Sequence, residues 1–364
     1  MTEEIRAEVE EEFGHLLDTS CFVGGEAVER FERAWADYCG TAHAVGVGNG
    51  TDALVLALRA VGVGAGDEVV VPTTTFIATA QAVVLVGAVP RFADVSAETL
   101  LMTPATLRQA LTPRTKAVVV VHLYGQLADM EGIGALARDA GIAVVEDAAQ
   151  AHGASRHGRR AGSWGDVACF SFYPGKNLGA FGDAGAVVTD DADTAARIRR
   201  LRDHGRAEGS HHLHFEVGTN SRLDAIQAVV LSAKLRRLEE WTRARRRVVG
   251  WYRDRLDPRA VPLVADARDD GSAHHLLVAR LGDRERVRAG LERAGIQTGV
   301  HYPVPCHQQP PYRRFADRAL PVAERAAGEI LSLPLFPHMT EEQVTTVCAE
   351  LDDLVPAEGS RYVA

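Results

Sequence analysis

The chain reads as an α/β protein with a large, mostly parallel sheet of seven strands and a smaller C-terminal α/β domain. Three features lead there. Between residues 41 and 189 short β-rich runs alternate with helical stretches, the pattern that builds a parallel sheet with helices on its faces. At 364 residues the chain exceeds what one hydrophobic core usually organises, so a companion domain is expected. A long charged segment, residues 221–256, carries Ile226, Val230, Leu231, Leu235 and Leu238 at helical spacing. That spacing predicts a helix that packs one face on the large domain and then leaves it as a hinge. The boundary is expected near Trp241, dividing the chain into residues 1–240 and 241–364.

Taken in order, the N-terminal run MTEEIRAEVEEEF is acidic and helical in pattern. Strands are expected at 42–47, 68–71, 89–93, 117–122, 143–146, 167–172 and 186–189, each a short β-rich run. Helices are expected at 51–60, 76–86, 104–110 and 130–140, several flanked by Gly or Pro. Beyond the hinge come a strand near 275–279, a helix near 284–294, the Pro-rich stretch HYPVPCHQQPPY and a C-terminal helix over 340–354. The RYVA tail is left without a role. No internal repeat is present, which excludes a solenoid.

Composition narrows the function classes. Hydrophobic content of 46% and charged content of 24% are ordinary for a globular protein. Forty Lys and Arg against 49 Asp and Glu give a net charge of -9, which argues against nucleic acid as a partner, so any phosphate must be held by a local site. Five scattered cysteines without a CxxC pair fit a reducing cytoplasm and suggest no metal. The acidic N-terminus resembles no targeting peptide, and the apolar runs are too short to span a membrane. A cytoplasmic protein is the expectation.

Three motifs carry chemistry. The first is GVGNGTDAL from Gly46, a strand followed by a Gly-rich turn and a helix. Exposed amides at a helix start around Gly50, with the Thr51 hydroxyl, suit a phosphate; a tight turn with Asp52 as a helix-start acid is the alternative. The glycines fall as GxGxG, which departs from the GxGxxG of a dinucleotide site. The second is VVEDAAQ from Val144, where Glu146 and Asp147 close an apolar strand, at the edge where parallel sheets bind ligands. Asp147 can pair with a protonated pyridine nitrogen or simply cap a helix. The third is FSFYPGKN, which places Lys176 in a Gly/Pro-rich loop after a strand. A lysine in a partly desolvated site can bond covalently to an aldehyde; a solvated loop lysine is the alternative. Phosphate turn, strand-end acid and loop lysine, in that order, are what a pyridoxal phosphate enzyme needs.

The ordered set GNGTDAL, PTTTFIATA, VVEDAAQAHGA, FSFYPGKNLGA, GDAGAVVTDD, GTNSRLDAIQA and GVHYPVPCHQQPPY resembles the DegT/DnrJ/EryC1/StrS family of sugar aminotransferases over nearly the whole chain. The resemblance implies the aspartate-aminotransferase fold (fold type I) and pyridoxal 5'-phosphate, with pyridoxamine phosphate as its intermediate form. It implies transfer of an amino group from an amino acid, usually glutamate, to a nucleotide-linked keto sugar, with 2-oxoglutarate released. By the same resemblance Lys176 carries the cofactor and moves the proton, Asp147 partners the ring nitrogen, and Gln150 sits by the ring hydroxyl. Thr51, the Asp52 backbone and Ser171 reach the phosphate, and Phe76 stacks on the ring. Asn220 resembles the asparagine that reaches the phosphate of a neighbouring subunit, which implies a homodimer with a shared active site. His301 and Tyr302 are expected to face the sugar.

The HYPVPCHQQPPY stretch resembles the branch that aminates dTDP-3-keto-6-deoxyhexoses at the sugar 3-position, while 4-keto sugar and scyllo-inosose aminotransferases remain open. Within the fold, the dehydratase branch has a histidine where this chain has Lys176, so dehydration is disfavoured. An NAD-dependent nucleotide-sugar oxidoreductase needs a Tyr-x-x-x-Lys pair, but Tyr173 lies three residues before Lys176. A cofactor-binding sensor is opposed by the presence together of Lys176, Asp147 and Ser171. The histidines at 204, 211, 212 and 214 match no standard metal spacing and are read as a polar loop. Arg206 and Arg222 are chemically able to bind a diphosphate or carboxylate and are left unassigned.

Overall fold

The computed structural model describes residues 1–267 and 270–355; the RYVA tail lies outside them. In chain order the strands are β1 (His43–Val47), β2 (Glu68–Pro72), β3 (Val89–Ala93), β4 (Thr115–Val121), β5 (Ala143–Asp147), β6 (Ser155–Arg156), β7 (Arg159–Arg160), β8 (Val167–Ser171), β9 (Gly185–Thr189), β10 (Asp270–Gly271), β11 (Leu277–Arg280) and β12 (Ile330–Leu333). The helices are α1 (Arg6–Thr19), α2 (Glu26–Cys39), α3 (Gly50–Ala60), α4 (Ala78–Leu85), α5 (Pro104–Ala110), α6 (Met130–Ala140), α7 (Ala192–Arg202), α8 (Ala225–Leu235), α9 (Leu238–Arg255), α10 (Arg284–Arg293), α11 (Pro321–Glu329) and α12 (Glu341–Leu354).

Seven strands form one sheet in the order β1-β9-β8-β5-β4-β2-β3. Only β9 runs against its neighbours, pairing antiparallel with β1 and β8; the other pairings are parallel. The expected seven-stranded, mostly parallel sheet is therefore present. Central strands carry continuous apolar runs, as in β4 from Ala117 to Val121, because both faces are covered there. Period-two alternation shows in β8: Val167 and Cys169 enter the cluster with Leu54, Leu56 and Val70, while Ala168 and Phe170 enter the one with Phe31 and Trp35. On that second face Trp35 meets Phe170 and Phe172 edge-on, with ring centroids 4.9 and 5.4 Å apart.

The C-terminal part has its own apolar cluster, in which Val248 and Tyr252 of α9 pack with Leu291, Leu331, Val344 and Leu351 around the antiparallel pair β11 and β12. Residues 221–256 correct the single-helix expectation: they form α8 and α9, interrupted at Arg236 and Arg237. Ile226, expected on the packed face, is 39% exposed. The helix expected over 76–86 begins only at Ala78, so Phe76 lies in the loop before it. No element was expected over α11 and β12, although Pro321 at the helix start and the apolar run ILSL mark them. Among the described residues no helix is long and apolar enough to cross a membrane.

Candidate active site

Parallel pairing brings the C-terminal ends of β2, β4, β5 and β8 to one edge of the sheet; β1, antiparallel to β9 as β8 is, ends at the same edge, and the three motifs lie there. At the first, Asn49 caps α3: its Oδ1 accepts from the Asp52 amide (2.9 Å), and its Nδ2 donates to Asp52 Oδ2 (3.0 Å). The Asp52 amide, expected to reach the phosphate, is engaged by this cap in the structure. Among the described residues the amides of Gly50 and Thr51 have no acceptor, as is usual in the first turn of a helix. Gly50 is required by space, because a Cβ there would sit 2.5 Å from the Cβ of Ser171. Ser171 is thus pressed against the helix start. The Gly48 amide donates to Ser221 Oγ (3.0 Å), which fixes the 220–223 segment beside the turn; Ser221 is buried and Asn220 exposed.

Asp147, at the end of β5, is buried. Its Oδ2 accepts from the Thr79 hydroxyl (2.8 Å), and its Oδ1 accepts from the Ala149 amide (3.3 Å). With its hydroxyl hydrogen directed at Asp147, Thr79 in turn accepts from the Thr75 hydroxyl (2.9 Å). Burial raises the Asp147 pKa, opposed by the Thr79 and Ala149 hydrogen bonds and by the charge of Lys176. Burial lowers the Lys176 pKa, opposed by Asp147. The two groups therefore feel each other's charge across the site, and the amine is biased toward the neutral form a nucleophile or base requires.

A roof comes from the C-terminal part. Gln150 Oε1 accepts from the Tyr124 amide (2.6 Å), and Gln150 Nε2 donates to the Tyr302 hydroxyl (3.0 Å). The Tyr124 hydroxyl donates to the His301 carbonyl (2.5 Å), and His301 Nδ1 lies 2.9 Å from Ser332 Oγ. Burial, and then the charge of Lys176, lower the His301 pKa. Phe76 is 53% exposed, with its ring centroid 5.7 Å from that of Tyr302. Cys306 and His307 dock this stretch onto the loop after β2: the Cys306 amide donates to the Thr73 carbonyl (3.0 Å), and Thr73 Oγ1 lies 2.7 Å from His307 Nδ1.

Sequence reasoning missed Thr79 and Tyr124. Thr79 lies inside the quoted PTTTFIATA segment, three residues past Phe76. The one signal for Tyr124 is the glycine that follows it. Tyr124 has φ 62° and Gly125 φ 96°, a turn that only a glycine at 125 allows. The 204–214 stretch folds back on itself, with Arg206 bridged to His214 and His214 Nδ1 2.9 Å from the His204 carbonyl. Arg206 and Arg222 both pair with Asp203, at 3.4 and 3.2 Å. Among the described residues no group of three His, Cys, Asp or Glu side chains is arranged to hold a metal.

Pyridoxal phosphate asks a site for an acid at its ring nitrogen, an amine at its aldehyde and donors at its phosphate. The residues fit: among the described residues Asp147 is a buried acid with two donors, Lys176 is a desolvated amine, and the Gly50 and Thr51 amides stand without an acceptor beside Thr51 and Ser171.

Residues 3–352 match the family model described as the DegT/DnrJ/EryC1/StrS aminotransferase family. The UDP-N-acetyl-3-dehydro-alpha-D-glucosamine 3-aminotransferase of Acidithiobacillus ferrooxidans is 46% identical, over 94% of this chain and 92% of its own. The dTDP-3-amino-3,4,6-trideoxy-alpha-D-glucose transaminase of Streptomyces venezuelae is 44% identical, over 95% and 91%. The crystal structure of S. venezuelae DesV superposes with a TM-score of 0.94 at 43% identity, covering 98% of this chain and 96% of that one. With a site of this composition and likeness along nearly its full length, the chain belongs to the DegT/DnrJ/EryC1/StrS aminotransferase family.

Proposed function

We propose that this aminotransferase uses pyridoxal phosphate to move an amino group from glutamate to the 3-position of a nucleotide-linked 3-keto sugar, a dTDP-3-keto-6-deoxyhexose. The observation that carries the chemistry is the pairing of a desolvated Lys176 with a buried Asp147. The position on the sugar draws support from the two relatives, whose names both place the amine at carbon 3 although their nucleotides differ.

When bound, the cofactor supplies an electron sink for the carbon that gains or loses a proton. Lys176 Nζ would hold the cofactor at its aldehyde and, when free, would serve as the acid and base that moves a proton; burial lowers its pKa, which favours the neutral amine this needs. Asp147 would pair with the ring nitrogen, and the Thr79 hydroxyl aims the carboxyl and opposes the burial that raises its pKa. Gln150 orients the ring edge while tied to Tyr302, and Phe76 offers an exposed ring face for stacking. The Gly50 and Thr51 amides, Thr51 and Ser171 take the phosphate. His301, biased to its neutral form, and Tyr302 face the sugar.

The same reading makes residues 1–240 the cofactor-binding domain and 241–364 the smaller domain that closes over it. It also calls for a second copy of the chain, with Asn220 reaching the partner's phosphate. Exposed apolar side chains support this: Phe22, Val23 and Ile226 lie together at the start of α8, where the Ala225 amide donates to the Phe22 carbonyl (3.0 Å), and Phe215 and Val217 project from the 204–217 loop. Five free cysteines favour the cytoplasm.

The loaded protein should show a visible band that glutamate bleaches and borohydride fixes onto Lys176. A protein that takes up no pyridoxal phosphate refutes the reading. Product NMR after incubation with dTDP-3-keto, dTDP-4-keto and UDP-linked 3-keto sugars settles position and nucleotide, and equal rates on the 3-keto and 4-keto sugars would remove the positional assignment.

A further inference from the structure

The residue after Lys176 has a side chain engaged at both its nitrogen and its oxygen. Asn177 is buried, its Nδ2 donates to the Ala273 carbonyl (2.9 Å), and its Oδ1 lies 3.2 Å from His275 Nδ1. Because the Ala273 carbonyl can only accept, the amide nitrogen of Asn177 must face it and the oxygen must face the imidazole. Nδ1 of His275 therefore carries a proton and donates.

His275 belongs to the stretch that leads from β10 into β11, and this stretch is gripped from two sides. On the large-sheet side β10 pairs with β6, Ser272 Oγ and the Ala273 amide donate to the Gly125 carbonyl (3.1 and 2.9 Å), and the His275 amide donates to the Tyr124 carbonyl (2.8 Å). The approach is that close only because residue 125 is glycine: a Cβ there would lie 2.8 Å from the His275 nitrogen. From α9, Arg246 donates to the Gly271 and Ser272 carbonyls (2.7 and 2.8 Å), and Arg245 reaches the His274 and Leu335 carbonyls (3.3 and 3.2 Å). The lysine loop, the Tyr124 turn and the entry to the C-terminal sheet therefore meet at His275. The Tyr124 amide also donates to Gln150, so the two peptide groups that flank Tyr124 serve the roof and this junction respectively.

We propose that His275 is a positioning residue for Lys176, its Nδ1–H holding Asn177 and thereby fixing the lysine loop against the strand that crosses to the C-terminal part. The inference rests on the reading of Lys176 as the cofactor-bearing lysine. The charged and titratable groups facing the ring are Lys176, Arg245, His152 and His301, with Asp147 across the site from Lys176. Burial first, and then the positive charges of Lys176 and Arg245, hold His275 well below the usual imidazole range, so it stays neutral while the lysine changes charge. Without the bond the loop loosens, water reaches Lys176, and the desolvation that lowers its proton affinity is relieved.

The test compares cofactor-loaded wild type with His275→Phe, His275→Gln and Asn177→Ala. The readouts are the pH midpoint of the visible band, kcat, and KM for the keto sugar. His275→Phe should raise the midpoint by about one pH unit and lower kcat about tenfold, with KM for the sugar unchanged within about twofold. His275→Gln keeps an N–H for Asn177 and should recover most of both losses. If His275→Phe does not fold, Asn177→Ala breaks the same bond from the other side and must raise the midpoint alike. An unmoved or lowered midpoint with kcat retained overturns the proposal. Borohydride labelling of wild type separates the two claims: label on another residue overturns the cofactor reading together with this inference, whereas label on Lys176 with an unmoved midpoint overturns only the positioning role.

Discussion

Replacing Glu146 by glutamine should destabilise the protein strongly although the side chain keeps its size. The carboxylate is buried at the end of β5, next to Asp147 in sequence, and takes four donors. Oε1 accepts from the Trp164 and Gly165 amides (2.7 Å each), and Oε2 accepts from the Gly162 amide and His122 Nε2 (2.8 Å each). A glutamine oxygen can satisfy one pair, but its NH2 then faces the donors of the other. If it faces the Oε2 pair, His122 can turn acceptor only by moving its proton to Nδ1, which already lies 3.3 Å from the Ala128 amide as that donor's acceptor. At least one backbone amide is left buried without a partner. An orphaned buried donor costs about 1–3 kcal/mol and a lost charge-assisted bond about 1.5–3, so about 3 kcal/mol is expected in total. At roughly 2–4 °C per kcal/mol for domains of 150–250 residues, the melting temperature of the loaded protein should fall by about 6–12 °C in scanning calorimetry. The pH dependence adds a second check. Burial alone would raise the Glu146 pKa, but His122 and the Gly162 and Gly165 amides outweigh it and lower the value. A lowered folded-state pKa stabilises above the unfolded value, about 4.3, and that contribution is lost as pH falls through the folded value. The gap between wild type and Glu146→Gln should narrow below about pH 4.3. A fall of less than about 2 °C at neutral pH would refute the reasoning.

Other outcomes follow from the same geometry. Thr79→Val removes the hydroxyl that donates to Asp147 and should push the Asp147 pKa further up; cofactor affinity by equilibrium dialysis should weaken about tenfold, and the acid limb of the rate profile should move to higher pH. Gly125→Ala puts a side chain at φ 96° against the His275 nitrogen and should cost about 1–3 kcal/mol, with faster amide exchange at residues 273–276 read by mass spectrometry. Lys234 is buried on α8, donates to the Gly179 carbonyl and lies 4.8 Å from the Phe181 ring centroid, and burial lowers its pKa to about 8. The folded state then holds fewer protons than the unfolded one between pH 8 and 10.5, so wild-type stability should rise relative to Lys234→Met across that window. Identical urea midpoint differences at the two ends of the window would contradict this. Lys176→Ala should keep a bound cofactor form yet lose turnover, and full activity in that variant would show the lysine misassigned.

By itself the sequence determined the sheet and the places where chemistry sits. Apolar runs broken by Gly, Pro and helix-period segments dictate seven strands, and a strand-end acid or a Gly-rich turn is written in contiguous residues, so Asp147, Lys176 and the Gly50–Thr51 turn were legible without coordinates. The tertiary structure decided how those residues are held. Thr79 reaches Asp147 across 68 positions, and His275 reaches Asn177 across 98. No local pattern encodes such pairs, because they arise when separate strands and turns pack along one edge. The same holds for the Asp52 amide that the Asn49 cap engages, for the exposure of Ile226, and for the break between α8 and α9. These depend on which donor lies nearer and which face is covered, quantities that exist only once the chain is folded.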